Sequence, residues 1–586
     1  MKCNFCGSEI TGADGVCEIC GHEVQIENNQ NTKQSEKPQN TSKKKTAKKP
    51  IITKRGKKIK VFGINLSFIL MCAAALAVII LVPTLIITSL IGAKPLKFEV
   101  MHTFYSKTTG VTSIVESGKI YEKTVEGEIV KKLSSSDGSV SAMLSEHGDL
   151  YKVSADDITL ISSGVKNCVI SQDGSKIAYL VKQAEESSTE ESTTEKSKKK
   201  QEPSQEETTE YIPAGPEEYT KAELSLFVYN CVDGESKHIE NAVAETSISL
   251  SPTGKAVCYT KSDKDGENFQ GYVCNNGVFS AVGRNAVPIA VSDDGSFLYY
   301  VKYEIYEDNQ VLKLFVKNGE KEEKLGEYSD GNGLSMYLNA DFSETVFSVT
   351  GETGNFFLWT SLKEKQKLSS GFTAVYPFGK NEISNGKTVI APTESFSGFV
   401  FYDNEKTAKY IDKKYVCNDL VVKADFFRVN ADMSKLYFVD RNEYLFVTDL
   451  KKIETSDIAS HVLNFDISVD GEMLYYVNSD KELHCYKGSS DKVISENADP
   501  GTRGLAVTEG GYLYYLKDYA YGSGTLCYLK NGGSEHVVKG TENVHDIIID
   551  KGDNIYYRSD YGTISGTYDL YYGKAGKYEL LFQNMG

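Results

Sequence analysis

Cys3-Asn4-Phe5-Cys6-Gly7 and Cys17-Glu18-Ile19-Cys20-Gly21 repeat one arrangement, two cysteines separated by two residues and followed by a glycine. Four thiolates in two such pairs suit a tetrahedral divalent ion, and each glycine lets backbone amides approach the sulfurs. The expectation is one structural Zn2+ in a closed site, with Cys3, Cys6, Cys17 and Cys20 as its ligands. The set is complete without the adjacent His22. So short a segment has almost no apolar core, so the metal would supply most of its folding free energy.

What must position this head is the sequence that follows it. Residues 25–60 run through Asn, Gln, Lys, Ser and Thr and read as a disordered basic linker. Val61 to Ala93 is uncharged and rich in Leu, Ile, Val and Ala, longer than the roughly 20 apolar residues that cross a bilayer. It reads as one transmembrane helix, kinked at Pro83, and is too long and too late in the chain for a cleaved leader. Ten cations, from Lys43 to Lys60, precede it with no acid among them, and only Lys94 and Lys97 lie close behind. That asymmetry places the N-terminus in the cytoplasm and the C-terminal part outside the cell membrane. The basic run faces anionic lipid; without interleaved aromatics it does not read as a nucleic-acid site. In a reducing cytoplasm the cysteines are thiolates and not disulfides, and no βαβ pattern suggests a redox motif. The cysteine pattern resembles the short zinc ribbons at the N-termini of many bacterial membrane proteins, a likeness that covers residues 3–24 and implies a structural site. The expected partners are the bilayer and a cytoplasmic protein docking on the ribbon.

Beyond residue 96 the chain reads as β throughout, and its net charge is about −23, which disfavours polyanions including nucleic acid. A unit recurs: a short apolar run, a polar corner often containing Asp-Gly, then a strand ending in aromatics. Clear corners are Asp137-Gly138, Asp173-Gly174, Gly254, Asp294-Gly295, Asp470-Gly471, Gly510-Gly511 and Gly552; degenerate ones fall at Ser343, Asn385-Gly386 and Ser434. The spacing matches one four-stranded propeller blade, once a low-complexity insert at 183–218 is set aside. The unit Ser-x-Asp-Gly-x-x-x-x-Tyr resembles the repeats of TolB-like and WD40-like β-propellers, without the WD dipeptide. The resulting expectation is an all-β, multi-bladed β-propeller over residues 96–586, preceded by the transmembrane helix and the zinc ribbon at 1–24. One ring of about eight blades is favoured over a larger ring or two smaller ones.

Chemistry is scarce in this part. There is no Gly-x-Ser-x-Gly elbow, Walker loop or His-Glu-x-x-His helix, and the outer histidines do not cluster along the chain. Asp263 and Asp265 open a loop that resembles the start of a calcium loop but reads as a polar hairpin, and seven outer cysteines show no motif spacing. The tyrosine pairs, such as Tyr299-Tyr300 and Tyr475-Tyr476, read as packing between blades in preference to a sugar-stacking surface. The expectation is therefore no enzyme activity: a non-catalytic binding or scaffold platform for a protein or cell-envelope ligand. The alternative is a propeller-based lyase or hydrolase acting on an extracytoplasmic substrate.

A peptide of residues 1–24 should take up one Co2+ as a Zn2+ surrogate with tetrahedral thiolate absorption, and gain ordered amide resonances only with metal. Cys6→Ser should weaken binding by at least about tenfold; equal affinity of that variant would remove the four-thiolate site.

Overall fold

The computed structural model describes residues 100–586 apart from gaps, chiefly 183–222, 263–267, 350–355 and much of 370–407, together with a small pairing of Lys60–Val61 with Ile64–Asn65. Val61, Ile64 and Asn65, which the expectation put in the transmembrane helix, are paired strand residues, a correction at that end; the ribbon cysteines and the rest of the expected span lie outside the described residues. Among the described residues no helix is long and apolar enough to cross a membrane.

The described residues between 101 and 585 form eleven consecutive four-stranded antiparallel units; single pairings, Val243 with Lys261 and Gly524 with Val544, join the third to the fourth and the tenth to the eleventh. The units span 101–126, 129–162, 165–243, 249–284, 286–329, 334–369, 374–421, 424–459, 462–495, 505–537 and 544–585, and are called blades one to eleven. Apolar clusters join successive blades, for example Val169, Leu180, Leu250 and Tyr259 between blades three and four. Another joins the last to the first: Phe104 and Val115 of blade one pack with Tyr556, Leu570 and Tyr572 of blade eleven. A twisted sheet that cannot bury both faces alone is covered here by its two neighbours, which defines a β-propeller.

Nine of the ten expected corners join the inner strand of a blade to its second strand. In blade five Ser292 Oγ donates to Asp294 Oδ1 at 2.7 Å, Ser296 N donates to the same oxygen at 2.9 Å, and Phe297 N donates to Ser292 Oγ at 3.0 Å. Blades two, three and nine repeat this with Ser135, Ser171 and Ser468. Blades six and eight substitute the amide oxygens of Asn339 and Asn430. The glycine that follows sits at positive φ, +73° in Gly295, where a side chain would be strained.

The tenth corner and the blade count are corrected. Thr388–Ile390 is not the second strand of a blade; it pairs in parallel with the inner strand of blade six, Leu334–Leu338. Blade seven pairs Ala374–Tyr376 with Phe399–Tyr402 across an insertion that hid its period. Blade one turns through Lys107–Gly110 without the motif, so eleven blades replace the expected eight or so. The 183–218 insert does leave between strands: Lys182 pairs with Leu224.

The tyrosine pairs serve the two faces of the second strand, because successive side chains point oppositely. The first ring reaches the next blade: Tyr299 Oη donates to Phe342 O at 2.7 Å, Tyr437 Oη to Gly471 O and Tyr514 Oη to Asp553 O, each at 2.9 Å. Tyr475 and Tyr556 instead accept from Gly532 N and Gly118 N. The second ring stacks on an aromatic opposite it in the same blade in Tyr300 with Phe315 at 5.2 Å and Tyr557 with Tyr571 at 4.9 Å, whereas Tyr515 faces Cys527. Packing between blades, as expected, is the role of the first ring, and packing within the blade is that of the second.

Gly118 closes the last blade onto the first: its φ is +78°, and a Cβ there would lie 2.2 Å from the Tyr572 ring. Gly118→Ala should destabilise the propeller by at least about 2 kcal/mol, read as a lower denaturant midpoint; an unchanged midpoint would mean this seam is not held closed. The Ser292 and Ser468 hydroxyls hold the carboxyls of Asp294 and Asp470 below the usual 3.8. A depressed folded pKa adds stability above 3.8 that is lost as pH falls through the folded values, so the wild type should lose more stability between pH 5 and pH 2 than Asp294→Asn does. Parallel pH profiles of the two would remove this contribution.

Candidate acid–base site in blade nine

At the position of the second ring, the strand opposite carries Tyr151, Phe227, Tyr272, Phe315, Phe357, Phe446 and Tyr571 in seven blades. Blade nine places His484 there, facing Tyr476, with the two rings stacked at 4.5 Å. The fold treats the imidazole as one more packed ring, while its nitrogens bring chemistry that a phenyl ring lacks.

Those nitrogens are engaged on both sides. His484 Nδ1 donates to Asp491 Oδ1 at 3.2 Å. Nε2 accepts from Asn478 Nδ2 at 3.3 Å and faces Glu482 Oε2 across 3.5 Å. Asp491 reaches the ring because Tyr486, two residues beyond His484, pairs with it across the outermost strands. The other oxygen of Asp491 accepts from Tyr476 Oη at 2.6 Å. Burial, reinforced by Asp491, pushes the Tyr476 hydroxyl well above its ordinary pKa, so it stays a proton donor. The His484 side chain is 13% exposed, whereas Asp491 and Glu482 are 41% and 38% exposed, so the ring is held and its carboxylates are open to solvent.

A base whose orientation is set by a carboxylate, beside a second carboxylate and a neutral phenol, can take, hold and return a proton. The named partners of His484 include no serine or cysteine nucleophile, so the arrangement suits proton abstraction or activation of water. His484 is the one histidine in this group, which the fold assembles with an amide and two carboxylates and not with other histidines. Asn478, Glu482, His484 and Asp491 come together through two hairpins, and the residue opposite the recurring aromatic pair was the sequence signal for it.

The remaining candidates separate. Cys3, Cys6, Cys17, Cys20, Asp263 and Asp265 lie outside the described residues. Cys258 and Cys274 are not disulfide-bonded to each other: Cys258 pairs with Val273 and Cys274 with Val257. Burial pushes the Cys258 thiol up to about 12 and that of Cys168 to about 11, which makes both poor nucleophiles. His102 is buried 3.8 Å from Asp550 at the seam of blades eleven and one, and His536 stacks on Tyr528.

No known protein family matches the chain, and no curated protein does. Among solved structures it is similar to the β-propeller domain of the trilobed protease from Pyrococcus furiosus, at 13% identity over 72% of this chain and 98% of that one, with a TM-score of 0.24. It is also similar to the acylaminoacyl peptidase of Pyrococcus horikoshii, at 14% identity over 72% and 52% with a TM-score of 0.25. An oligogalacturonate lyase in complex with manganese aligns at 10% identity over 64% and 92% with a TM-score of 0.27. Likeness at this level assigns no activity to the chain. The expectations of a non-catalytic platform and of no enzyme activity are corrected: they rested on missing motifs alone, several of the similar propellers are those of enzymes, and the activity of this chain stays unassigned by these likenesses.

Proposed function

We propose that the protein is a membrane-anchored enzyme whose extracytoplasmic propeller acts as a hydrolase or lyase by general acid–base catalysis. The observation that carries this reading is His484, set where seven blades carry an aromatic ring and held between Asp491 and Glu482 over Tyr476. Asp491 orients the imidazole, Nε2 exchanges the proton, and Glu482 faces the same nitrogen as a second carboxylate. The anchor lies within 66–93, with the basic stretch before it on the cytoplasmic lipid surface. On the cytoplasmic side Cys3, Cys6, Cys17 and Cys20 hold one structural Zn2+. The zinc ribbon so formed docks a cytoplasmic protein, and the metal takes no part in the outer chemistry.

The test uses intact cells displaying the full chain, given isolated cell-envelope polysaccharide or peptide fractions. New reducing ends, unsaturated sugars or new amino termini in the medium report the reaction. His484→Phe restores the ring type of the other blades and should fold normally, yet lose about 10²–10⁴-fold in turnover. No turnover by the wild type, or wild-type turnover by His484→Phe, would overturn the proposal.

A further inference from the structure

The tyrosines of the repeat are consumed in packing, but among the described residues Tyr444, Tyr521 and Tyr561 outside it are exposed, and the last two lie on neighbouring blades. Tyr521 is fully exposed at the tip of the hairpin joining the second and third strands of blade ten, and Tyr561 is 43% exposed just after the second strand of blade eleven. His545 links them. Its Nδ1 donates to Gly522 O at 2.7 Å, and its ring stacks on Tyr561 at 4.9 Å. The His545–Tyr561 stack of blade eleven is thus tied to the Tyr521–Gly522 turn of blade ten, at the sheet ends opposite the Ser-x-Asp-Gly corners.

The hairpin retains Tyr521 against its local preference. Ala520 pairs with Ser523, which leaves Tyr521 and Gly522 as a two-residue turn with φ of +54° and +91°. Such a turn favours Asn-Gly, and a bulky side chain at positive φ is strained. A ring kept there, exposed and in contact with no core cluster, has no packing reason for its presence. Beside the stack Asn543 Nδ2 donates to Asp560 Oδ1 at 3.0 Å, both residues exposed, so an amide and a carboxylate edge the aromatic faces.

We infer that this ledge binds an uncharged glycan, an inference that rests on the extracytoplasmic enzyme reading above and names its substrate class. A pyranose ring offers an apolar C–H face that lies flat on an aromatic ring and an equatorial rim of hydroxyls that pair with amide and carboxylate groups. Exposed rings on two neighbouring blades, joined through His545 and the Gly522 carbonyl, suit a ligand longer than one sugar, and the acidic charge outside the membrane disfavours polyanionic polymers.

Calorimetric titration of the detergent-solubilised full chain with chitohexaose and cellohexaose, and with polygalacturonate as the charged control, tests it. At least one uncharged hexamer should bind, at an affinity unchanged between low and moderate salt, while polygalacturonate should not. Tyr521→Asn, which relaxes the turn and keeps or raises the unfolding temperature, and Tyr561→Ala should each weaken binding about tenfold or more. Binding of neither hexamer, wild-type affinity in Tyr521→Asn, or preference for polygalacturonate would overturn the glycan site. Hexamer binding that Tyr521→Asn abolishes, with no turnover in any assay, supports the ledge and removes the enzyme reading. Turnover that needs His484 but proceeds with an unchanged KM in Tyr521→Asn supports the enzyme and removes the ledge.

Discussion

The reach of a tyrosine from the second strand of one blade to the backbone of the next is the contact on which this propeller depends. A corner presents backbone carbonyls and amides that no strand of its own blade pairs, and burying them without partners costs free energy. Tyr299, Tyr437 and Tyr514 satisfy such groups at the corner of the neighbouring blade, and Tyr475 and Tyr556 satisfy amides at turns of the following blade. Because each ring is buried in an apolar cluster while its hydroxyl is bonded, one side chain contributes both area and direction to the interface. Gly118 belongs to the same scheme: it donates to Tyr556 and leaves room for Tyr572 where the last blade meets the first.

Where the second strand carries rings on both faces, the opposite strand commonly supplies a flat partner, with Cys527 opposite Tyr515 as the exception in blade ten. Seven blades supply Phe or Tyr, and His484 fills the same volume in blade nine at no cost in packing. This explains how an acid–base group can sit in the body of a blade with its orientation already fixed. The imidazole is positioned by the repeat, and Asp491 and Glu482 come from segments that the repeat leaves variable. Elsewhere buried charge is paired across blades: Arg428 Nε lies 3.4 Å from Asp466 Oδ1, and Asp466 also accepts from Val507 N of blade ten. Burial raises the Asp466 pKa despite that cation, so the pair holds three inner strands in register more than it adds net stability.

Much of this architecture was legible in the residues, for local reasons. A serine two positions before an Asp-Gly can close its own corner with three hydrogen bonds, so the corners of blades two, three, five and nine could be read from the chain without any distant contact. Blade seven was hidden because 377–398 separate its first two strands, and blade one because its turn lacks the motif, so the count came out low. Thr388–Ile390 had the composition of a second strand, yet parallel pairing with Leu334–Leu338 was available to it, and composition does not distinguish the two.

The sequence by itself determined the β class, the repeat, the place of the 183–218 insert and the packing role of the tyrosine pairs, because each follows from periodicity and turn chemistry within about 40 residues. Only the tertiary structure decided that eleven blades succeed one another, that the last packs on the first, and that Tyr476, Glu482, His484 and Asp491 share one face. The reason is register. Strand pairing sets which side chains meet across a hairpin, and a bulge between Leu483 and His484 shifts that register by a residue, which no reading along the chain can see.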